Sequence, residues 1–184
     1  SPSLEELCAG KKDIVIISSD HTRPVPSRVT MPILLHHIHS AAPEARVRIL
    51  VATGMHRPST HEELVNKYGE EIVANEEIVM HVATDDSMMK KIGTLPSGGE
   101  CIINKIAADC DLLLAEGFIE PHFFAGFSGS RKSVLPGIAS YKTIMYNHNG
   151  QFVNDSHSRA GNLCHNHVSE DMFAAAEMAH LAFV

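Results

Sequence analysis

Short runs of apolar, often β-branched residues alternate along this chain with longer amphipathic stretches, and that alternation predicts most of its elements. Residues 13–18 (DIVIIS) form an apolar run bounded by charge, the pattern of a buried strand. Residues 27–41 (SRVTMPILLHHIHSA) predict a helix, with Pro32 tolerated in its early turns. A second strand is expected over 47–54 (VRILVATG). A helix follows over 59–69, with capping-box spacing from Thr60 to Glu63 and Gly69 as its stop. Residues 77–84 (EIVMHVAT) predict a third strand. Beyond them KKIGTLPSGGE reads as a strand and a turn, IINKIAADC as a helix, and DLLLAEG (111–117) as a strand. Helical segments near 131–135 and 140–147, a polar loop over 149–168 and a helix from Ser169 to His180 complete the reading. The closing HLAFV looks like a strand just beginning.

Strands alternating with helices predict an α/β fold, a Rossmann-like and mostly parallel sheet with helices on both faces. In such sheets ligands bind beyond the carboxyl ends of the strands. Three of the expected strands run directly into SSDHTRPVP, ATGMHRP and GFIEPHFFAGFSGSRK, so Asp20, Arg23, His56, Glu120, His122 and Lys132 gather along one edge. Each has a plainer reading on its own: Asp20 as a turn cap, Arg23 as a surface charge, His56 as a hydrogen-bonded structural histidine. Titratable groups delivered to one edge by three separate strands point to a functional cleft.

Composition narrows the class. The 184 residues suit one α/β domain, and a formal net charge of -7 argues against a nucleic-acid or anionic-membrane partner. No apolar run reaches the roughly 18 residues that a membrane span needs. Cys8, Cys101, Cys110 and Cys164 stand far apart with no C-x-x-C pair, the pattern of free thiols in a reducing cytoplasm. The chain opens on Ser-Pro-Ser and stops within an expected strand, which suggests an excised piece of a longer protein. Histidine is in excess at 13 residues. His36 and His39 share a helix face and His165 and His167 fall in the polar loop, but neither pair has a third ligand in the pattern.

Glycines in AGFSGSRKS would let backbone N–H groups approach an anion, so Gly129, Arg131, Lys132 and Ser133 are candidate phosphate-cradle residues. The spacing is not that of a P-loop, and no G-x-G-x-x-G follows the first strand. GTLPSGG (93–99), with Thr94, is a second candidate anion turn, for which a plain hairpin is the competing reading. Phe123, Phe124 and Phe127 suit either the wall of a dry pocket or the core.

SSDHTRP, ATGMHR and EPHFFAGFSGSRKSVLPGIA followed by YNH together resemble the amino-terminal domain of the nickel-dependent lactate racemase family, from about residue 13 onward. The resemblance implies a nickel-pincer nucleotide, a nicotinate-derived mononucleotide whose nickel is held by two sulfurs and a ring carbon. It implies further that His148 completes the nickel site, that Lys132 joins the cofactor through a thioamide, that His56 and His122 act as acid and base, and that Asp20 and Arg23 line the site. Two features depart from the family pattern: the turn Leu95-Pro96-Ser97-Gly98-Gly99, usually richer in Thr, Ser and Arg, and Ser130, where glycine is common.

The expected activity is then racemisation or epimerisation of a small 2-hydroxy acid by proton-coupled hydride transfer. A second, C-terminal domain would close the site, and this domain alone would be inactive. Two histidines suit the task, because inverting a hydroxyl-bearing carbon needs proton handling on both faces and imidazole titrates near neutrality. Arg23 could hold the substrate carboxylate as a bidentate pair. Two alternatives remain open on the sequence: a metal-dependent hydrolase or lyase built on the same His/Asp cluster, and a non-catalytic cofactor-binding protein.

Overall fold

A computed structural model describes residues 2–183. Five strands form one parallel sheet: β1 (Asp13–Ser19), β2 (Arg46–Ala52), β3 (Glu77–Met80), β6 (Leu112–Ala115) and β9 (Leu181–Phe183), in the order β3-β2-β1-β6-β9. Val184, the last residue of the expected closing strand, lies outside the described residues. The order reverses across β1, with β2 and β3 on one side and β6 and β9 on the other. That makes the carboxyl end of β1 the topological switch point at which α/β sheets take their ligands.

Alternation within the strands fixes the two faces. Ile14, Ile16, Leu112 and Leu114 point to one side and pack on α1 (Leu4–Cys8), α2 (Ser27–Ala41), α3 (His61–Tyr68) and α4 (Glu70–Asn75), through Met31, Leu35, Ile38 and Tyr68. Val15, Ile17, Leu50 and Leu113 point to the other. There they meet the antiparallel hairpin of β4 (Met89–Thr94) and β5 (Glu100–Asn104), α5 (Lys105–Asp109), the 134–139 segment, and α8 (His167–Met178). The sheet is thus Rossmann-like, mostly parallel and covered on both faces, as the sequence pattern predicts.

Several boundaries follow the local chemistry. α2 spans the predicted residues with Pro32 inside it, and α3 begins at the Thr60–Glu63 capping box and stops at Gly69. β3 is shorter than expected because His81 turns inward. Its Nε2 donates to the Ala139 carbonyl at 2.9 Å and its Nδ1 accepts from Asn104 Nδ2 at 3.2 Å. The stretch IINKIAADC, expected to be helical, is strand as far as Asn104: Cys101 and Ile103 alternate inward, and Asn104 then caps α5 by accepting from Ile106 N–H. The 149–168 loop contains one helical turn, α7 (Gly150–Val153), and α6 (Tyr141–Asn147) ends just before His148. The Gly-rich segment folds into a small hairpin, β7 (Pro121–His122) with β8 (Gly126–Phe127), followed by a 3₁₀ turn over Ser130–Ser133. The four cysteines are free thiols. No helix among the described residues is long and apolar enough to cross a membrane.

Candidate active site at the sheet switch point

A cleft of about 140 Å³ opens beyond β1, β2 and β6. Its floor is made by residues at and just beyond the ends of those strands: Ser19 and Asp20, Thr53 and Gly54, Glu116 and Gly117. Its far wall is the Gly129–Gly137 segment, and Arg23 and Glu120 stand at its sides. The parallel register explains why the three ends coincide, since Ile17 aligns with Leu50 on one side and with Ala115 on the other. Gly129 is required where it is. Its φ is +76°, and a Cβ there would stand 2.6 Å from the Phe118 carbonyl oxygen, so the wall can come this close only as bare backbone.

One half of the site is an acid–histidine pair. Asp20 is buried, and its Oδ2 lies 2.6 Å from His56 Nδ1, while its Oδ1 accepts from Thr22 Oγ1 at 2.6 Å and from Thr22 N–H at 3.0 Å. Burial alone would raise the Asp20 pKa, but the hydrogen bonds from Thr22 and His56 outweigh it and hold the carboxyl below its usual range. An ionised Asp20 accepts the Nδ1 proton and leaves Nε2 of His56 as the ring's free nitrogen. The imidazole itself is about half exposed.

The other half is built on the Gly-rich hairpin. His122 Nδ1 accepts from Ala125 N–H at 3.3 Å, and its Nε2 is 3.4 Å from Lys132 Nζ. Phe123 stacks on the imidazole with centroids 4.7 Å apart. Phe124 meets it edge-on at 4.6 Å and meets His148 in the same way at 5.2 Å. Phe124 therefore sits between the two histidines rather than in the deep core, while Phe123 is largely exposed. Desolvation, followed by the charges of Lys132, His148 and Arg23, lowers the His122 pKa to about 4, so its ring is neutral at pH 7. Burial, with Arg131 and Arg23 nearby, brings the Lys132 ammonium down to about 8. At that value a useful fraction of the amine is free base near neutrality, as a nucleophile or covalent attachment point requires.

His148 caps the C-terminus of α6 and is also lowered to about 4, first by burial and then by Lys132. Its Nδ1 is buried and has no hydrogen-bond partner among the described residues. An orphaned imidazole nitrogen in a polar cluster suits a metal ligand. Among the described residues, no group of three or more His, Cys, Asp and Glu side chains is arranged to hold a metal ion. A lone histidine fits a metal that brings its other donors with it on an organic group.

Two sequence candidates face elsewhere. Arg131 is buried, with Nη2 donating to the Ala125 and Phe127 carbonyls at 3.0 and 3.1 Å and its guanidinium 4.5 Å over the Phe173 ring. It braces the hairpin from behind while Lys132 and Ser133 turn toward the cleft, because successive residues of the 3₁₀ turn point in different directions. Thr94 pairs with Glu100 at the end of the β4–β5 hairpin and is not part of the cleft lining. In the turn beyond it, the Ser97 N–H and hydroxyl both go to Asp171, at 3.1 and 2.6 Å. Sequence reasoning passed over Glu116, a buried carboxylate in the cleft floor whose partners lie far off in the chain.

The comparisons with known proteins agree with this fold. The family model for the lactate racemase N-terminal domain matches residues 1–161. The chain is 72% identical over 184 residues to a lactate racemase of Lactiplantibacillus plantarum, covering all of this chain and 43% of that protein. It is 55% identical over 181 residues to a lactate racemase of Thermoanaerobacterium thermosaccharolyticum, covering 98% of this chain and 42% of that one. The solved lactate racemase apoprotein from T. thermosaccharolyticum superposes with a TM-score of 0.97 at 54% identity, over 99% of this chain and 44% of its own. A Thermotoga maritima protein at 22% identity and a TM-score of 0.76 shares the fold. The chain thus spans less than half the length of the curated relatives it matches, and it belongs to the family of lactate racemase N-terminal domains.

Proposed function

We propose that the protein to which this domain belongs is a 2-hydroxy acid racemase or epimerase, acting on lactate or a close analogue, with a nickel-pincer nucleotide as its cofactor. The observation that carries the reading is that Asp20 and Lys132 line one cleft, with Asp20 backing His56 and Lys132 standing beside a desolvated His122. The names of the L. plantarum and T. thermosaccharolyticum relatives support the activity.

Arg23, at the side of the cleft, would hold the substrate carboxylate and fix which face of the carbon is presented. Neutral His122 and the Asp20-oriented His56 would share the proton work: one takes the hydroxyl proton of one enantiomer, and the other returns a proton to the carbonyl oxygen of the flat keto acid as its opposite face takes the hydride back. Lys132 would anchor the cofactor, the bare backbone at Gly129 and the Ser133 hydroxyl would approach its phosphate, and His148 would complete the nickel coordination. When bound, that group supplies a reversible acceptor for the hydride of the substrate carbon. The C-terminal part of the full-length chain would close over the cleft and exclude water, so this domain by itself is expected to be inactive. A cytoplasmic location fits the four free thiols.

The test uses the full-length protein co-expressed with the proteins that make the cofactor. His122→Ala should abolish racemisation with nickel retained, and His148→Ala should lose nickel. Equal loss of metal in both would favour a simple divalent-metal site shared by the histidines. Nickel retained without turnover on any 2-hydroxy acid would favour a cofactor-binding protein.

A further inference from the structure

Glu116 directly follows β6 at the floor of the cleft and is 8% exposed. Its Oε1 accepts hydrogen bonds from Ser18 Oγ at 3.1 Å and from Ser27 Oγ, and its Oε2 accepts from Thr30 Oγ1 at 2.9 Å. Ser18 is itself held by Tyr68 Oη, which donates to it at 2.8 Å from the end of α3. Ser18 lies just before the 19–26 segment and Ser27 just after it. That segment carries Asp20 and Arg23. One carboxylate therefore grips both ends of the loop that delivers half of the site, and it does so from the strand that leads directly into the other half.

The local chemistry makes this grip necessary. The chain enters α2 through Pro26, and α2 has no side-chain cap of its own. The Glu116 carboxylate bonds the first and fourth residues of the helix, so a negative charge faces the N-terminal end of the helix dipole. A desolvated carboxylate is costly to bury unless several donors compensate it, and three hydroxyls do so here.

We propose that Glu116 is a positioning residue for the Asp20–Arg23 half of the active site, acting through Ser18, Ser27 and Thr30 without touching the substrate. The catalytic consequence rests on the racemase reading above; the mechanical one does not. In the cofactor-loaded full-length enzyme, Glu116→Ala should raise amide hydrogen exchange in the 19–26 segment about tenfold, leaving exchange in β2 and β3 unchanged. It should also lower kcat/KM for lactate about tenfold or more at unchanged nickel content. Glu116→Gln should recover most of both, since its amide oxygen still accepts from Ser18 and Ser27. Thr30→Val, which removes one donor while keeping the acid, should loosen the same segment and serves if Glu116→Ala fails to fold. Unchanged exchange in 19–26, a rise spread over the whole sheet, or an unchanged kcat/KM in an active enzyme overturns the proposal. If the wild-type protein racemises no 2-hydroxy acid, the racemase reading falls, and the exchange pattern alone decides whether the clamp exists.

Discussion

His122 Nε2 and Lys132 Nζ stand 3.4 Å apart, with the edge of Phe124 packed against the imidazole and the ammonium 5.7 Å from the centre of its ring. Each group is disfavoured in its charged form by burial, and the Lys132 charge lowers His122 further. The pair therefore favours a neutral base beside an easily deprotonated amine, the state in which both are chemically useful.

Lys132→Met removes a positive neighbour from His122, so the imidazole should titrate above its wild-type value of about 4. Desolvation is the larger cause and remains, so the ring should stay below the ordinary histidine range. An NMR titration of the imidazole protons checks this. No change would mean that the two groups do not interact, and a fall would mean that Lys132 acts on His122 as a hydrogen-bond partner rather than as a repelling charge.

Asp20→Asn keeps the shape of the Asp20–His56 contact but removes the charge and the obligatory acceptor for Nδ1–H. The expected result in the full-length enzyme is a loss of about a hundredfold in kcat with nickel content unchanged. Steady-state kinetics in both directions, set beside metal analysis, would show it.

The cleft wall makes its own prediction. At Gly129→Ala the added Cβ meets the Phe118 carbonyl oxygen at 2.6 Å in a left-handed conformation, so the substitution should cost about 2 kcal/mol or more. Urea unfolding at pH 7 measures that cost.

Acid should destabilise the domain through His81. Burial lowers its folded-state pKa from 6.5 to about 4, with the Ala139 carbonyl opposing the shift only in part. Between those values the unfolded chain binds the proton more readily. Stability is therefore complete above about pH 6.5 and is lost as the pH falls toward 4. From pH 7 to pH 5 this one group should remove about 2 kcal/mol. Unfolding midpoints at the two pH values test the size. His81→Gln, although less stable overall, should lessen the dependence by that share and leave the part due to His122 and His148, which burial lowers likewise.

Much of this was legible in the sequence, and the exceptions have physical reasons. The ends of α2 and α3 were readable because their signals are local: a capping box at Thr60 and Glu63, a stop at Gly69, and a helical apolar stripe through Met31, Leu35 and Ile38. β5 was not, because Ile102, Ile103, Ile106 and Ala107 satisfy a helical period as well as a strand followed by a helix. The pairing with β4 and the cap at Asn104 decide the matter. The gathering of Asp20, Arg23, Glu120 and Lys132 along the cleft followed from strand ends sharing one edge of a parallel sheet. The direction of Arg131 did not, since it depends on the rotation of a short 3₁₀ turn against α8. Glu116 reads in sequence as any acid after a strand. Only the fold brings Ser27 and Thr30 to it from 89 and 86 residues away.

The most direct test of the central claim is the intact mass and nickel content of the full-length protein, co-expressed with the cofactor-making proteins, beside its Lys132→Ala variant. The account predicts one nickel per chain and an added mass in the wild type that disappears in the variant. A wild-type chain carrying neither nickel nor adduct would contradict it.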